Sequence, residues 1–380
     1  MRTQQFTYLD QGWRTPLPDT ANLNVQLLLC FGRSRYLFET HALTDLKRCF
    51  PHARIVGCST AGEIAGTSVL DESLVVTALQ LEKTELEFAA IDIDSADRSR
   101  AAGEALANQL KRADLRHVLV LSDGLNVNGS ELVAGLTSAL PSTVSLTGGL
   151  AVDYSDFAST QAWLDRPFNT PCVVGVGFYG SHIRIGHGSL GGWDSFGPDR
   201  VITRSKGNVL YEMDGKSALA LYKDYLGDYA KDLPASGLLF PLALNQNGDD
   251  QGPVRTLLGI DEDEQSMTFA GDMPEGISAR LMKANFDRLI EGAENAALQT
   301  QIGVNGEPAP DFALLISCVG RKMVLKQRVE DETEAVRDIL GNATCYAGFY
   351  SYGEISPLKD DVKCVLHNQT MTITTFTEIL

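Results

Sequence analysis

Residues 53–64 read Ala53-Arg54-Ile55-Val56-Gly57-Cys58-Ser59-Thr60-Ala61-Gly62-Glu63-Ile64. The apolar part is too short for a helix and stops in small and glycine residues, as a buried strand does. Upstream, residues 24–32 are apolar and predict another strand, and 36–50 between them predicts a helix. Strand, helix and strand in that order begin an α/β alternation. Downstream, 74–81 and 86–93 flank the polar turn Glu82-Lys83-Thr84-Glu85 and read as a hairpin. Ala102, Leu106 and Leu110 share one helix face, 117–121 is a buried strand ending at Ser122-Asp123-Gly124, 130–140 is helical, and 143–146 extended.

The same order recurs further on. Residues 256–260 and 265–270 predict a hairpin, Met282, Phe286, Leu289, Ala293 and Ala297 a helix face, and 312–318 a strand. Leu325, Val329, Val336 and Leu340 line the next helix, before strands at 344–351 and 363–376. Gly62-Glu63-Ile64 is echoed by Gly353-Glu354-Ile355. The expected fold is therefore α/β with mixed sheets. Two pseudo-repeated halves, 20–215 and 216–380, follow an N-terminal extension over 1–19. Packing the uncovered faces together gives a helix/sheet/sheet/helix sandwich with a crevice for a ligand between the halves.

The chain has 380 residues, with 32 Lys and Arg against 49 Asp and Glu, a formal charge of −17. That surface disfavours nucleic acid and anionic membranes as partners and favours a basic protein surface. No early segment has signal-peptide character, and the apolar run Val25 to Phe31 is far short of a membrane span. Seven scattered cysteines form no CxxC pair. A reduced, cytoplasmic setting is the expectation.

Few motifs carry chemistry. Gly175-Val176-Gly177-Phe178-Tyr179-Gly180 and Gly186-His187-Gly188-Ser189-Leu190-Gly191 both fit GxGxxG. Neither opens a helix, so they read as glycines admitting a close neighbour to a sheet rather than as a dinucleotide loop. Ser317-Cys318-Val319-Gly320-Arg321-Lys322 stands where a strand hands over to a helix. There Arg321, with Glu354 near it, reads either as a clamp for a small anion or as a structural ion pair. Cys318 and Cys58 are candidate thiol nucleophiles that need a cationic partner, or else small buried apolar residues. No spacing of the six histidines builds a zinc site, whereas a haem needs a single axial histidine.

Several segments together resemble the FIST family of bacterial sensory proteins, with its FIST N and FIST C parts. They are Gly57 to Ile64, Gly191-Gly192-Trp193-Asp194 with Val201 to Arg204, Gly207 to Gly215, Ser317 to Lys322, and Gly348 to Pro357. The ending Leu366-His367-Asn368-Gln369-Thr370-Met371-Thr372 is similar to the nitric oxide-sensing haem proteins of that family, the NosP group. The resemblance implies a non-catalytic sensor that regulates a partner histidine kinase. In its narrower form the cofactor is haem b, ligated by His367 or His187, with Arg184, Arg204 or Arg321 on the propionates. The alternatives are a haem-free sensor of a small anion or amino acid, and a thiol enzyme. Arg321, Cys318, Glu354, Glu63, Cys58 and Trp193 are then the candidate ligand-binding residues.

Overall fold

The structure, a computed structural model, describes residues 1–10, 12–19, 21–22, 24–153, 159–167, 170–245, 252–301, 309–357 and 364–379. Three units of like topology follow one another along the chain. The first is β1 (Arg2–Leu9), β2 (Leu27–Gly32), α1 (Ala42–Cys49), β3 (Arg54–Cys58), β4 (Glu63–Ala65), β5 (Ser68–Leu70) and β6 (Leu74–Gln80). The second is β7 (Glu85–Asp92), α2 (Ser99–Leu110), β8 (Leu115–Ser122), α3 (Gly129–Ala139), β9 (Ser145–Leu150), β10 (Ala162–Leu164) and β11 (Cys172–Tyr179). The third is β12 (Ile183–Leu190), α4 (Phe286–Thr300), β13 (Phe312–Cys318), α5 (Val329–Leu340), β14 (Cys345–Ser351), β15 (Glu354–Pro357), β16 (Cys364–His367) and β17 (Met371–Glu378).

Each unit builds one mixed sheet. The orders are β10-β3-β2-β6-β1, β16-β15-β9-β8-β11-β7 and β5-β4-β14-β13-β17-β12. In every sheet the unit's second and third strands are parallel, its last lies antiparallel beside the second, and its first lies beyond the last. The expected α/β class with mixed sheets is what the chain forms. Helices cover one face of each sheet and the other faces pack together, and the repeat extends to a third copy.

The units are interlocked. The third parallel-edge strand of each sheet accepts an antiparallel strand from another unit: β4 joins β14, β15 joins β9, and β10 joins β3. The exchange is cyclic, first to third, third to second, second to first. Its centre repeats in detail: Ala61 N–H donates to Tyr350 O (3.2 Å), Val152 N–H to Ser59 O (3.0 Å) and Tyr352 N–H to Leu150 O (3.3 Å). One glycine recurs two residues before each acceptor. A Cβ on Gly57, Gly148 or Gly348 would lie 1.7, 1.9 or 1.8 Å from the carbonyl oxygen of Cys30, Val120 or Leu315 on the parallel neighbour. Only a residue without a side chain lets the two strands approach there.

The inner faces share one core that draws Leu29 and Phe31 from the first sheet, Leu119, Val174 and Phe178 from the second, and Ile316, Phe349 and Phe376 from the third. An insert between β12 and α4, spanning 194–283, forms a separate antiparallel sheet with its own core around Leu210, Tyr222, Leu242, Phe269 and Leu281. No described helix is long and apolar enough to cross a membrane.

Some elements depart from expectation. Segments 74–81 and 86–93 do not pair with each other: β6 lies between β1 and β2, and β7 lies on β11 in the next sheet. The turn between them is held instead by Glu378, whose carboxylate accepts the amides of Glu82, Lys83 and Thr84, each at 2.8 Å. Met282 belongs to a strand, and α4 starts only after Asn285, whose side chain accepts from Arg288 N–H. The helix expected on Leu325 to Leu340 is interrupted at Lys326, which has φ +52°. The last strand breaks at the turn 368–370, where Gln369 has φ +64°, and Lys363 lies outside the described residues. The 256–270 hairpin does form, as part of the insert.

Candidate functional site

A cleft with a volume of 580 Å³ lies between the second unit and the insert. Its position follows from strand chemistry: ends of parallel strands leave loops and helix N-termini facing one side. β8 runs out into Asp123, which is 1% exposed and accepts from Leu125 N–H (3.0 Å), Asn126 N–H (2.7 Å) and Thr160 Oγ1–H (2.7 Å). These bonds shape the loop that leads into α3. Asn128 caps that helix, its side-chain oxygen accepting from Glu131 N–H at 3.1 Å, and its amide reaches Asp272 of the insert at 3.3 Å.

Leu150 and Tyr352 form the cleft floor. Tyr352 donates its hydroxyl to Asp153 at 3.0 Å. Gly124 has no side chain because a Cβ would lie 1.9 Å from Ala151 O and crowd the Tyr352 ring. The opposite wall is the turn at Lys206 to Asn208 with Phe269, Ala270 and Gly271. Asn208 Nδ2–H donates to Phe269 O at 2.9 Å and so ties that wall together. Lys206, Asp97 and Glu131 supply charge along the lining.

The residues singled out in the sequence lie elsewhere. Arg321 is fully buried: Nε and Nη2 donate to Glu332 Oε2 at 3.0 and 2.8 Å, Nη2 also donates to Leu289 O at 2.7 Å, and Nη1 donates to Gly191 O. Ser317 and Tyr350 hydroxyls donate to the other oxygen of Glu332 at 3.0 and 2.7 Å. Its carboxylate partner is thus Glu332, on the next helix, rather than Glu354. Glu354 is itself fully buried, accepting from Ser351 Oγ (2.6 Å) and Thr370 Oγ1 (2.9 Å). Glu63, at the equivalent place in the first unit, is 1% exposed and accepts from Thr60 and Ser73, each at 2.5 Å. Burial pushes the Glu63 carboxyl up to about 7 and the Glu354 carboxyl up to about 8. In the second unit the position is Ala162, so the cage occurs twice.

Cys318 and Cys58 close their strands in buried positions. Burial pushes Cys318 up to about 12 and Cys58 well above the ordinary thiol value, which keeps both protonated. Trp193 donates its indole N–H to Gln369 O at 2.9 Å and lines a 230 Å³ cavity with Arg280 and Arg288. Arg204 pairs with Glu212 at 2.9 Å on the insert's surface, over the Tyr211 ring. Arg184 lies on β12 opposite Thr377. His187, on the same strand, is shifted down by burial.

His367 is 7% exposed, with Nε2 at 3.1 Å from Ser356 O, and burial lowers it to about 4. A neutral imidazole with one nitrogen on a carbonyl has the chemistry of a metal ligand. The space does not match: neither His367 nor His187 lines the 580 Å³ cleft or the smaller cavities of 290, 230 and 230 Å³. Among the described cavities, none offers a porphyrin a slot beside either ring. The glycines of the two GxGxxG stretches do admit close neighbours: a Cβ on Gly186 or Gly188 would strike Thr300 O or Ala296 O of α4, at 2.4 and 2.0 Å.

Sequence reasoning passed over Lys206 and Gly271, because nothing in their spacing marks them. Gly124, Gly207, Asn208, Phe269 and Tyr352 stood within segments noticed for other reasons.

Comparison with known proteins gives a consistent assignment. The FIST N domain matches residues 26–216 and the FIST C domain residues 218–357. An uncharacterized protein of Methanocaldococcus jannaschii is 24% identical over 91% of this chain and 71% of its own length. Among solved structures, a cyanuric acid hydrolase from A. caulinodans aligns over 78% of this chain and 99% of its own, with 10% identity and a TM-score of 0.20. PurLQS from Thermotoga maritima aligns over 95% and 67%, with 8% identity and a TM-score of 0.18. Scores that low carry no argument about fold or chemistry.

Proposed function

The chain belongs to the FIST family of sensory, signal-transduction domains, and from that premise we propose that it is a non-enzymatic sensor whose ligand enters the 580 Å³ cleft. The observation that supports this reading is the cleft's place between two units with separate hydrophobic cores. A ligand held by both walls favours one relative placement of insert and second unit. A partner that reads that placement then senses occupancy. The partner proposed is a histidine kinase with a basic docking surface, complementary to a chain of charge −17.

Hydrogen exchange tests it. A low-molecular-weight cytosolic extract should protect 124–131, 206–208 and 269–271 together, and Ala96→Trp, which fills the mouth of the cleft, should abolish that protection. Protection elsewhere, or none, sinks the cleft as the sensory site.

A second reading, a haem b nitric oxide sensor, is favoured by the anchored neutral imidazole of His367 alone. Haem would supply an iron for nitric oxide, and binding it requires β16 and its neighbours to open a slot. Protein purified with haem should then show a Soret band that shifts with nitric oxide and is lost in His367→Ala. A featureless visible spectrum removes that reading and leaves the cleft untouched.

A further inference from the structure

Among the described residues two arginines are buried, and only one of them is hydrogen-bonded to a carboxylate. Arg321 has Glu332. Arg255, on the short strand Val254–Arg255 of the insert, is 6% exposed and bonds only to neutral backbone carbonyls. Its Nε donates to Asp272 O at 3.2 Å, and its Nη1 to Val254 O at 3.3 Å and Leu366 O at 3.1 Å. Nη2 makes none of the described hydrogen bonds. The Asp272 carboxylate lies near enough to act through space, but it forms no described ion pair with Arg255 and accepts from Asn128 instead. Desolvation lowers Arg255 to about 10, which leaves it charged at neutral pH. A buried cation with no carboxylate bonded to it is costly, and an anion that pairs with its free Nη2 would offset that cost.

The surroundings say which anion. Gly271 makes room for the guanidinium: a Cβ there would lie 2.7 Å from Nε and 2.9 Å from Cζ. Beside Arg255 is a 290 Å³ cavity that Asp272 also lines and whose remaining walls are mostly apolar, including Val133, Leu244, Pro253, Ile277 and Leu366. At about 30 Å³ of liquid volume per water, it takes a molecule of roughly ten non-hydrogen atoms. Nη2 offers donors to one carboxylate, and Ser130, whose buried hydroxyl has no partner, also lines the space. A phosphate would bring more charge and more acceptors than these groups satisfy, while the apolar walls would be wasted on it.

We propose that the cavity between the insert and α3 binds a small monocarboxylic acid with a compact apolar body, its carboxylate paired with Arg255. Arg255 already links the insert to β16 through Leu366 O, so the bound acid bridges the insert and the second sheet. The site is distinct from the 580 Å³ cleft and does not depend on that cleft's having a ligand.

Thermal unfolding and titration calorimetry of the full chain test the proposal, with acetate, 3-methylbutanoate and benzoate as probes. The neutral amide of 3-methylbutanoate and inorganic phosphate serve as controls. The expected result is a midpoint that rises with 3-methylbutanoate or benzoate as RT ln(1 + [L]/Kd) requires, and does not rise with the amide or phosphate. Arg255→Gln should weaken carboxylate binding about tenfold or more. Ala134→Phe fills the cavity without removing any Arg255 bond, and it should do the same even if Arg255→Gln folds poorly. No response to any of the three carboxylates overturns the proposal. So does an equal response to the amide or phosphate, or undiminished binding in Ala134→Phe.

Discussion

Two sets of buried ionisable residues in this chain respond to perturbation in opposite ways. Arg321 and Glu332 are both fully buried and satisfy each other. Removing one partner leaves a charge stranded in the core, so Arg321→Ala or Glu332→Ala should lower unfolding free energy by about 3–5 kcal/mol in urea titrations. The joint change Arg321→Met with Glu332→Leu should recover most of that loss. Glu63 and Glu354 instead sit among hydroxyls with no cation bonded to them. Their folded-state values, about 7 and about 8, stand above the ordinary carboxyl value of 4.5. The folded state therefore binds more protons, and stability falls as pH rises from about 4.5 to about 8, then levels off. In Glu63→Gln/Glu354→Gln the urea midpoint should lose that decline between pH 5.5 and pH 8.5. An unchanged slope would mean that other groups cause it.

At the scale of elements, parallel pairing depends on three glycines. Gly57, Gly148 and Gly348 each face the carbonyl of a neighbouring strand at a distance no Cβ tolerates. Replacing any one by Ala should cost about 3 kcal/mol or more in thermal or urea unfolding, whereas Gly259→Ala, with nothing within 4 Å, should be close to neutral. The two segments flanking Glu82 to Glu85 show why local pattern misleads here. Each reads as half of a hairpin across a polar turn, yet Glu378, 294 to 296 residues away in sequence, binds the intervening amides, and the strands lie in different sheets. A turn whose donors are claimed by a distant carboxylate leaves no signal in its own residues. α2, α3 and β13 were legible because burial of one face or both is itself a local pattern.

On the scale of the whole molecule, the cyclic exchange makes the three units one folding object. A chain cut after residue 216 keeps β4 and β5 but loses β14, their partner, and keeps β9 without β15. It also leaves β12 without β17. The 1–216 fragment should accordingly be insoluble or lack a cooperative melt by circular dichroism, while the intact chain unfolds its three sheets together. The insert, with its own core, is the part whose hydrogen exchange should report a separate, lower opening energy. By itself the sequence determined the α/β class, the recurrence of units, the acidic surface and the family. Those depend on composition, periodicity and motif order, which are local or additive. Only the tertiary structure decided that Arg321 belongs to Glu332, that the cleft lies against the insert, and that Arg255 is buried with no carboxylate bonded to it. Arg321 and Glu332 are 11 residues apart yet meet only because successive helices fold back on each other, while the cleft and Arg255 join the insert to elements far away in sequence, and neither kind of placement leaves a mark on the residues concerned.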